Sequence, residues 1–323
     1  GVTMPEDSLF EGVRQVRPGH YVKISDKGIS EHPYWTLSFG GGNKYRSMDE
    51  AAEHFQELLD EAVKLRLDAD VQIGAYLSGG LDSSTVLESM SRQYSEPIES
   101  FTIRYSQEAG DESHAAAATA KHFGISNTPV DISHADLVDN LKASVWHTEL
   151  PVMNSHSSAK YVLSERASHV RKAVLTGSGA DEFFIGYTMY SQQVLMEQKR
   201  NGANGEVERR LKQMLNRDQV APGLMPVTGY RKYGRISKLF GNYPYQALRA
   251  VVFEKAVRPF LSRDMASQLN CDSSLSQLAE RYQAKEKLAG LAPWRASQHM
   301  QISCDLPWYI STCMDDRLSL IHI

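Results

Sequence analysis

A short apolar run that turns through glycines into a helical segment constrains the fold of this chain more than any other feature. Residues 71–77 (VQIGAYL) are largely apolar and typical of a buried strand, and Val86, Leu87 and Met90 follow at helical spacing. The turn between them is Ser78-Gly79-Gly80-Leu81-Asp82-Ser83-Ser84. Such a turn directs free backbone N–H groups and the positive end of a helix dipole toward one point, which is the geometry of a phosphate site.

The residue types in this turn indicate a phosphate that is bound together with a metal ion. Gly79 and Gly80 let the backbone approach a ligand closely, and the serine hydroxyls add hydrogen-bond donors. Asp82 would repel a phosphate unless Mg²⁺ lay between them. The lysine of the GxxxxGK[ST] phosphate loop is absent. An ordinary Gly-Gly turn with a Ser or Asp helix cap is the plain alternative.

Strands and helices are predicted to alternate around this turn. An amphipathic helix is predicted from Ser47 to Leu67, opened by a capping box of Ser47 and Glu50. Further strands are predicted at 98–105, 129–132 and 172–175, and further helices at 111–122, 136–146 and 157–170. This alternation predicts an α/β fold with a doubly wound parallel sheet, which binds ligands at the carboxyl ends of its strands.

A second glycine-rich turn follows the strand at 172–175 and reads Thr176-Gly177-Ser178-Gly179-Ala180-Asp181-Glu182. By itself it could be a flexible turn with a helix cap. Neighbouring parallel strands, however, would deliver both turns to the same rim of the sheet. Asp82 and Asp181 could then chelate one Mg²⁺ ion against the β and γ phosphates of a nucleotide.

The two turns together carry a resemblance to a known family. The first resembles the SGGxDS loop of the ATP pyrophosphatase superfamily, whose members cleave ATP between the α and β phosphates. The second resembles the "L.GeGaDElfgGY" motif of asparagine synthetases. The chain is identified as a member of that family over about residues 1–320. The resemblance implies the adenine-nucleotide alpha hydrolase type of sheet with a helical C-terminal part, and ATP and Mg²⁺ as cofactors.

The resemblance also implies roles for individual residues. Asp82 and Asp181 would hold the metal ion and are the expected catalytic residues. Pyrophosphate would be bound by the first turn, through Ser78, Gly79, Gly80, Asp82, Ser83 and Ser84. The rest of the nucleotide would contact Tyr76 and Ile103, which flank the adenine, and Thr176 and Gly177. Tyr76 replaces the leucine that the family usually has.

Ser178 is the departure from the family pattern that bears on the substrate. Family members that activate aspartate have a glutamate here, which helps to position the amino acid and the arriving ammonia. β-Lactam synthetases and lasso-peptide cyclases also differ from glutamate at this point. Either Ser178 sets a different substrate or a neighbouring carboxylate such as Glu182 replaces the missing charge.

The function that the resemblance implies is that of an ATP-dependent ligase. It would adenylate a carboxylate, aspartate or a related acid, and transfer ammonia derived from glutamine, with release of AMP and pyrophosphate. The alternatives are an amide- or lactam-forming cyclase of the same family, a degenerate member that only binds nucleotide, and a tRNA-modifying enzyme of the superfamily. The net charge of −4 and the TGSGADE stretch argue against the last.

The two ends of the sequence suggest a piece of a longer enzyme. Residues 1–37, with two short strands predicted around the Pro18-Gly19 turn in the stretch 10–22, resemble the end of a glutaminase domain without its catalytic cysteine. Residues 38–46 are predicted to be a linker, and residues 47–323 a synthetase domain that stops before the family's catalytic lysine. Ammonia would then come from a glutaminase domain missing here, and this fragment is expected to be poorly active.

Composition adds the cellular setting. The chain has 323 residues, and no apolar run approaches membrane-spanning length. Its cysteines, Cys271, Cys304 and Cys313, lack metal-ligand spacing and suggest reduced thiols. A cytoplasmic protein with neither membrane nor nucleic-acid partners is expected, with a homodimer left open.

Overall fold

The computed structural model describes most of the chain, namely residues 4, 6–8, 10–40, 42, 44–105, 111–150, 152, 154–202, 205–217, 230–268, 271–315 and 318. The chain forms two compact units, each made of two stretches of sequence. The first unit comprises Gly1–Leu37 and Asp181–Trp308, and the second comprises Ser38–Ala180 and Tyr309–Ile323.

The strands of the described residues are β1 His20–Ser25, β2 Gly28–Pro33, β3 Ile73–Tyr76, β4 Glu99–Tyr105, β5 Ser126–Ile132 and β6 Ala173–Leu175. The helices are α1 Met48–Leu67, α2 Leu81–Gln93, α3 Ser113–His122, α4 His134–Asp139, α5 Leu141–Thr148, α6 His156–Ser168, α7 Ala180–Phe184, α8 Thr188–Arg200, α9 Gly205–Arg217, α10 Tyr230–Phe240, α11 Tyr245–Val257, α12 Arg263–Gln268, α13 Cys271–Arg281, α14 Ala284–Lys287 and α15 Pro293–Met300. A 3₁₀ turn covers Arg258–Phe260, and a π-helix covers Gln301–Asp315.

The second unit is built on a parallel sheet in the order β5-β4-β3-β6. Its register pairs Ala75 with Ser100 and Ile73 with Ala173. Strands β4 and β5 lie on one side of β3 and β6 lies on the other, so the strand order reverses between β3 and β6. That reversal places a crevice at the carboxyl ends of these two strands. The predicted α/β fold with a doubly wound parallel sheet and a helical C-terminal part is confirmed.

Both faces of this sheet are covered, which explains why its strands are apolar runs. One face packs with α1, α2 and α3 through the buried side chains Val63, Ile73, Ala75, Leu77, Leu87, Met90, Ala116 and Ala120. The other packs with α6 through Phe101, Val130, Ile132, Ala159, Leu163 and Ala167. Successive residues of β3 point to opposite faces, so Tyr76 packs against the second group while its neighbours join the first.

Two local predictions in the second unit were wrong in part. The helix predicted at 136–146 is divided into α4 and α5 at Asn140, whose side chain donates to the carbonyl of Asp136 at 2.9 Å. The capping box at Ser47 is only half formed. The Ser47 hydroxyl accepts from the backbone of Glu50, but the Glu50 carboxylate accepts from the backbone N–H of Arg46 at 2.7 Å.

The first unit combines the β1–β2 hairpin with α8 to α15. The prediction of two strands around Pro18-Gly19 was right for the strand after the turn, β1, and wrong for the strand before it, because β1 pairs instead with β2. Gly19 has φ +71°, and its carbonyl accepts from the backbone of Tyr34 and Trp35. The buried helix-packing cluster of this unit includes Ile236, Phe240, Leu288 and Met300. No described helix is long and apolar enough to cross a membrane.

Candidate functional site

The turn between β3 and α2 is organised by two serine side chains. The hydroxyls of Ser78 and Ser83 hydrogen-bond each other at 3.0 Å, and the backbone N–H of Ser78 donates to Ser83 Oγ at 3.2 Å. The backbone N–H of Gly80 donates to Ser78 Oγ at 3.2 Å. Gly80 is the N-cap of α2, and no side chain caps this helix. The first N–H groups of α2 therefore depend on solvent or a ligand.

Gly79 lets this turn approach α3 so closely that no other residue would fit. Its φ of +79° lies in the left-handed region that disfavours residues with a Cβ. A Cβ there would also lie 2.5 Å from the backbone nitrogen of Ala116 and 2.8 Å from the carbonyl carbon of Ala115. The first turn of α3 thus packs directly on the glycine turn.

The turn after β6 meets the turn after β3 through backbone atoms. A Cβ on Gly177 would lie 2.7 Å from the backbone nitrogen of Ser83 and 2.8 Å from the carbonyl carbon of Asp82. In the same turn the backbone N–H of Ser178 donates to Thr176 Oγ1 at 3.3 Å. The two turns come together because β3 and β6 are neighbours in the sheet.

A cavity of about 350 Å³ opens at this junction, within the second unit. It is lined by Tyr76, Leu77, Ser78, Asp82, Ser83, Phe101, Ile103, Tyr105, Glu112, Lys160, Leu163, Thr176, Gly177 and Ser178. One part of this lining comes from the two turns and is polar. The other part belongs to the apolar cluster around Phe101 and Leu163.

Most of the residues predicted for nucleotide binding meet at this cavity. Seven of the ten line it, namely Tyr76, Ser78, Asp82, Ser83, Ile103, Thr176 and Gly177, and so does Ser178, which was predicted to bear on the substrate. The remaining three, Gly79, Gly80 and Ser84, belong to the turn and the first turn of α2. Asp82 is half-buried, in the first turn of α2.

Lys160 is a functional candidate that the sequence reasoning missed. Its Nζ lies 4.5 Å from the centroid of the Tyr76 ring and 3.1 Å from Asp315 Oδ1. The Tyr76 hydroxyl hydrogen-bonds Ser164 at 2.8 Å, and burial raises its pKa to about 12. On α6, Lys160 directly follows buried Ala159. The signal available in the sequence for this candidate was a lysine next to a helix face made of small residues.

Asp181 and Glu182 belong to α7, whose residues from Asp181 onward lie in the first unit. Gly186 leaves room for Asp181, because a Cβ on Gly186 would lie 1.9 Å from Asp181 Oδ1. The Glu182 side chain is buried, and its Oε1 accepts from the Tyr187 hydroxyl at 2.5 Å. Its Oε2 is buried without a hydrogen-bond partner among the described residues. Burial raises the pKa of Glu182.

A comparison with protein families shows to which family this chain belongs. A family model described as asparagine synthase matches residues 54–322. This chain belongs to the asparagine synthase family. The family expected from the two glycine-rich turns is confirmed, and the model spans both turns and the cavity between them.

Individual relatives in this family have two kinds of name. The amidase chry2 of Gibberella zeae is 35% identical over 209 residues, which are 59% of this chain and 31% of that protein. The amidase chyE of Penicillium rubens is 33% identical over 209 residues, with the same shares. Asparagine synthetase [glutamine-hydrolyzing] 1 of Bacillus subtilis is 27% identical over 196 residues, 60% of this chain and 30% of that protein. The matched part is thus about a third of these relatives' length.

Two of the solved structures that this chain is similar to match it with low TM-scores. The NH3-dependent NAD synthetase from Campylobacter jejuni has a TM-score of 0.31 at 13% identity, covering 74% of this chain and 98% of that one. The U34-tRNA thiolase NcsA from Methanococcus maripaludis has a TM-score of 0.32 at 13% identity, covering 76% and 88%. Both scores are too low to establish a shared fold over the chain.

In the part of the chain that the structure describes, no group of three or more His, Cys, Asp or Glu side chains is placed to hold a metal ion. Asp82 contributes one carboxylate to the cavity of the second unit. Joint chelation of an ion by Asp82 and Asp181 stays a prediction.

Proposed function

We propose that this chain is the nucleotide-binding part of an ATP-dependent ligase that forms an amide by adenylating a carboxylate. The observation that carries the proposal is the uncapped start of α2 at the carboxyl end of β3, beside the point where the strand order reverses. Its N–H groups and the positive end of its dipole suit the phosphates of ATP. The packing of Gly177 on Ser83 brings the second turn to the same phosphates.

The reaction divides into two displacements. An oxygen of the acceptor carboxylate attacks the α-phosphorus, the bond to the β-phosphate oxygen breaks, and pyrophosphate leaves with the electron pair. An amine nitrogen then attacks the acyl carbon, AMP leaves, and the nitrogen loses a proton. The side chains of the cavity bind and align the reactants, and none of them needs to act as a nucleophile. Ser78 and Ser83 hold each other and so fix the shape of the phosphate turn.

Mg²⁺ is the metal ion that fits this site. In phosphate sites Mg²⁺ is bound by one or two carboxylates together with phosphate oxygens. Asp82, at the cavity beside the hydroxyl of Ser83, supplies one such carboxylate, and Asp181 is the second that the family resemblance implies. When bound, the ion would offset the charge that develops on the leaving pyrophosphate.

Ser178 favours an acceptor other than free aspartate. It lines the cavity as a small neutral side chain, so it offers no charge to a substrate ammonium group. Glu182 is unsuited to replace that charge, because it is buried against Tyr187 and burial raises its pKa. A related acid, or the carboxylate of a peptide or lactam precursor in a cyclase, is therefore the second candidate substrate class. The amidase names of two relatives agree with a substrate other than aspartate.

The proposed source of the amine is ammonia from a glutaminase domain. Several relatives are named glutamine-hydrolyzing asparagine synthetases, which supports a domain of that kind in the natural protein. We assign residues 1–37 to the end of that domain and residues 47–323 to the synthetase domain, joined by a linker at 38–46. The proposal includes no nucleic-acid or membrane partner.

Product analysis tests the proposal. The natural full-length protein, incubated with ATP, Mg²⁺ and a panel of carboxylic acids, should release AMP and pyrophosphate, which chromatography separates from ADP and phosphate. ADP as the main product would contradict the adenylation mechanism. Pyrophosphate exchange into ATP over the same panel identifies the acid. Strong exchange with aspartate would restore plain asparagine synthesis, whereas Ser178→Glu should improve aspartate use about tenfold if Ser178 excludes it.

A further inference from the structure

The cavity has one basic side chain among its described lining residues, and that side chain is Lys160. The other charged residues of the cavity lining are Asp82 and Glu112, both acidic. A site for a triphosphate needs positive charge besides backbone N–H groups, and lysine serves phosphates as a compact point charge. The sequence motifs supply no such charge, because the two turns contain no lysine or arginine.

Two contacts fix the position of the Lys160 ammonium group. Asp315 Oδ1 accepts from Nζ at 3.1 Å, and the face of the Tyr76 ring lies 4.5 Å from Nζ. The ring itself is fixed by its hydrogen bond to Ser164. The lysine and aspartate side chains are only 18% and 19% exposed. An ammonium group has three N–H donors, so this arrangement leaves it able to bind a further acceptor.

A purely structural role explains this arrangement poorly. Taking a lysine and an aspartate out of water has a desolvation cost that an apolar pair of similar volume would avoid. Yet Lys160 is placed beside Leu163 in the lining of the cavity, and its partner Asp315 is 155 residues away in sequence. The segment that carries Asp315 is held on α6 by a second contact, from Ser157 Oγ to Met314 Sδ at 3.5 Å.

We propose that Lys160 binds the α-phosphate of the nucleotide, with Asp315 as its positioning residue. This inference rests on the proposed function. Tyr76 and Ile103 belong to the apolar part of the lining, which suits the base, and the two turns suit the β and γ phosphates. Lys160 contacts the Tyr76 ring in the apolar part of the lining, where the base is proposed to bind. Of the three phosphates of ATP, the α-phosphate is nearest to the base and is therefore the one nearest to Lys160. That phosphate is the one attacked in adenylation, where a fixed positive charge stabilises the developing negative charge.

Calorimetric titration of this chain with adenosine, AMP and Mg²⁺-ATP tests the assignment. Lys160→Met should weaken AMP and ATP binding about tenfold to a hundredfold and leave adenosine binding within about twofold. Lys160→Arg keeps the charge and should retain most of the AMP affinity. Lys172→Met is the matched control, because Lys172 is exposed in the same unit and outside the cavity lining. It should change none of the three affinities.

The double variant Lys160→Met/Asp315→Asn separates a direct contact from simple repulsion. In the single variant Asp315 is left without its cation and could itself repel a phosphate. If Lys160 contacts the phosphate, the double variant still binds AMP weakly. Recovery of AMP affinity to the wild-type value would overturn the proposal, and so would an equal loss of adenosine affinity in Lys160→Met. If the unmodified chain binds neither AMP nor ATP, the proposed function itself fails, and the Lys160 assignment fails with it.

Discussion

Helices α2 and α4 each follow a strand of the parallel sheet, but their N-termini are capped differently. Helix α4 follows β5 through Ser133, and helix α2 follows β3 through the glycine turn. At α4 the Ser133 hydroxyl accepts from the backbone of Asp136 at 3.2 Å, and the Asp136 carboxylate accepts from the backbone of Ser133 at 2.8 Å. At α2 no side chain caps the helix. The N-cap position of α2 is Gly80, where α4 has Ser133, so α2 has no hydroxyl at that position.

The position in the sheet explains which start is left open. Strand β5 is at the edge of the sheet, whereas β3 lies beside the reversal in strand order. A helix that starts at the edge needs only stability, and its own side chains satisfy its first N–H groups. A helix that starts at the reversal faces the crevice where a ligand can bind. An absent side-chain cap is not distinctive by itself, because α3, α5 and α6 also lack one; the position of α2 beside the reversal is what makes its start a candidate binding site.

The largest effect is expected from adding a side chain at Gly79, in the turn before α2. Gly79→Ala would put a residue with a Cβ into a left-handed backbone conformation, and that Cβ would clash with the backbone of α3. The variant should lower the free energy of unfolding by roughly 2–5 kcal/mol and abolish ATP binding. Gly124→Ala is the matched control, because Gly124 also has positive φ, +68°, but has open space around it. It should lower the free energy of unfolding by only about 1–2 kcal/mol. Equal effects in denaturant unfolding would refute the close packing of Gly79.

The next effect concerns the carboxylates in the first turns of the two helices. Asp82→Ala should abolish Mg²⁺-dependent ATP binding and leave the fold intact, because Asp82 is proposed to hold the ion. Asp136→Ala removes the carboxylate half of the α4 capping box and should leave ATP binding unchanged while lowering stability. Calorimetry with and without Mg²⁺, together with thermal unfolding, measures both. An unchanged ATP affinity in Asp82→Ala would remove the phosphate assignment of the turn.

A smaller effect should follow from giving α2 the cap that α4 has. Gly80 has φ −73°, and a Cβ there would meet only Ser78 Oγ at 3.2 Å, so Gly80→Ser is sterically mild. The new hydroxyl would accept from a first-turn N–H group and stabilise the fold by a few tenths of a kcal/mol. It would also compete with phosphate, and ATP affinity should fall about tenfold. A variant that binds ATP as tightly as the unmodified chain would show that these N–H groups are not used.

The smallest effect is a pH dependence confined to α4. Hydrogen bonds from Ser133 hold the pKa of the Asp136 carboxyl below its ordinary value. Because the folded pKa is lowered, the stabilisation from the hydrogen bonds to this carboxylate is fully present above the unfolded pKa of about 3.9 and is lost as the pH falls through the folded value. Amide hydrogen exchange should therefore show earlier acid fraying of α4 than of α2. Simultaneous fraying of both helices would contradict the difference in their caps.

Most of the candidate site was predictable because its residues lie in short contiguous stretches of sequence, whereas contacts between distant residues were not predictable. The strand, the glycine turn and the helix are contiguous, so one stretch of sequence contains the whole phosphate turn. The division at Asn140 was missed because the apolar residues Leu137, Leu141 and Val145 keep helical spacing across it. The pairing of Lys160 with Asp315 could not be predicted at all, since no local pattern joins residues so far apart.

The pairing of Lys160 with Asp315 also has a consequence for synthesis on the ribosome. Asp315 is translated 155 residues after Lys160. At about 5–20 residues per second, roughly 8 to 30 seconds separate the two. During this interval the sheet of the nascent second unit is already complete in sequence, yet its lysine lacks its partner. A nascent chain can therefore form the turn between β3 and α2 before Asp315 is available to pair with Lys160.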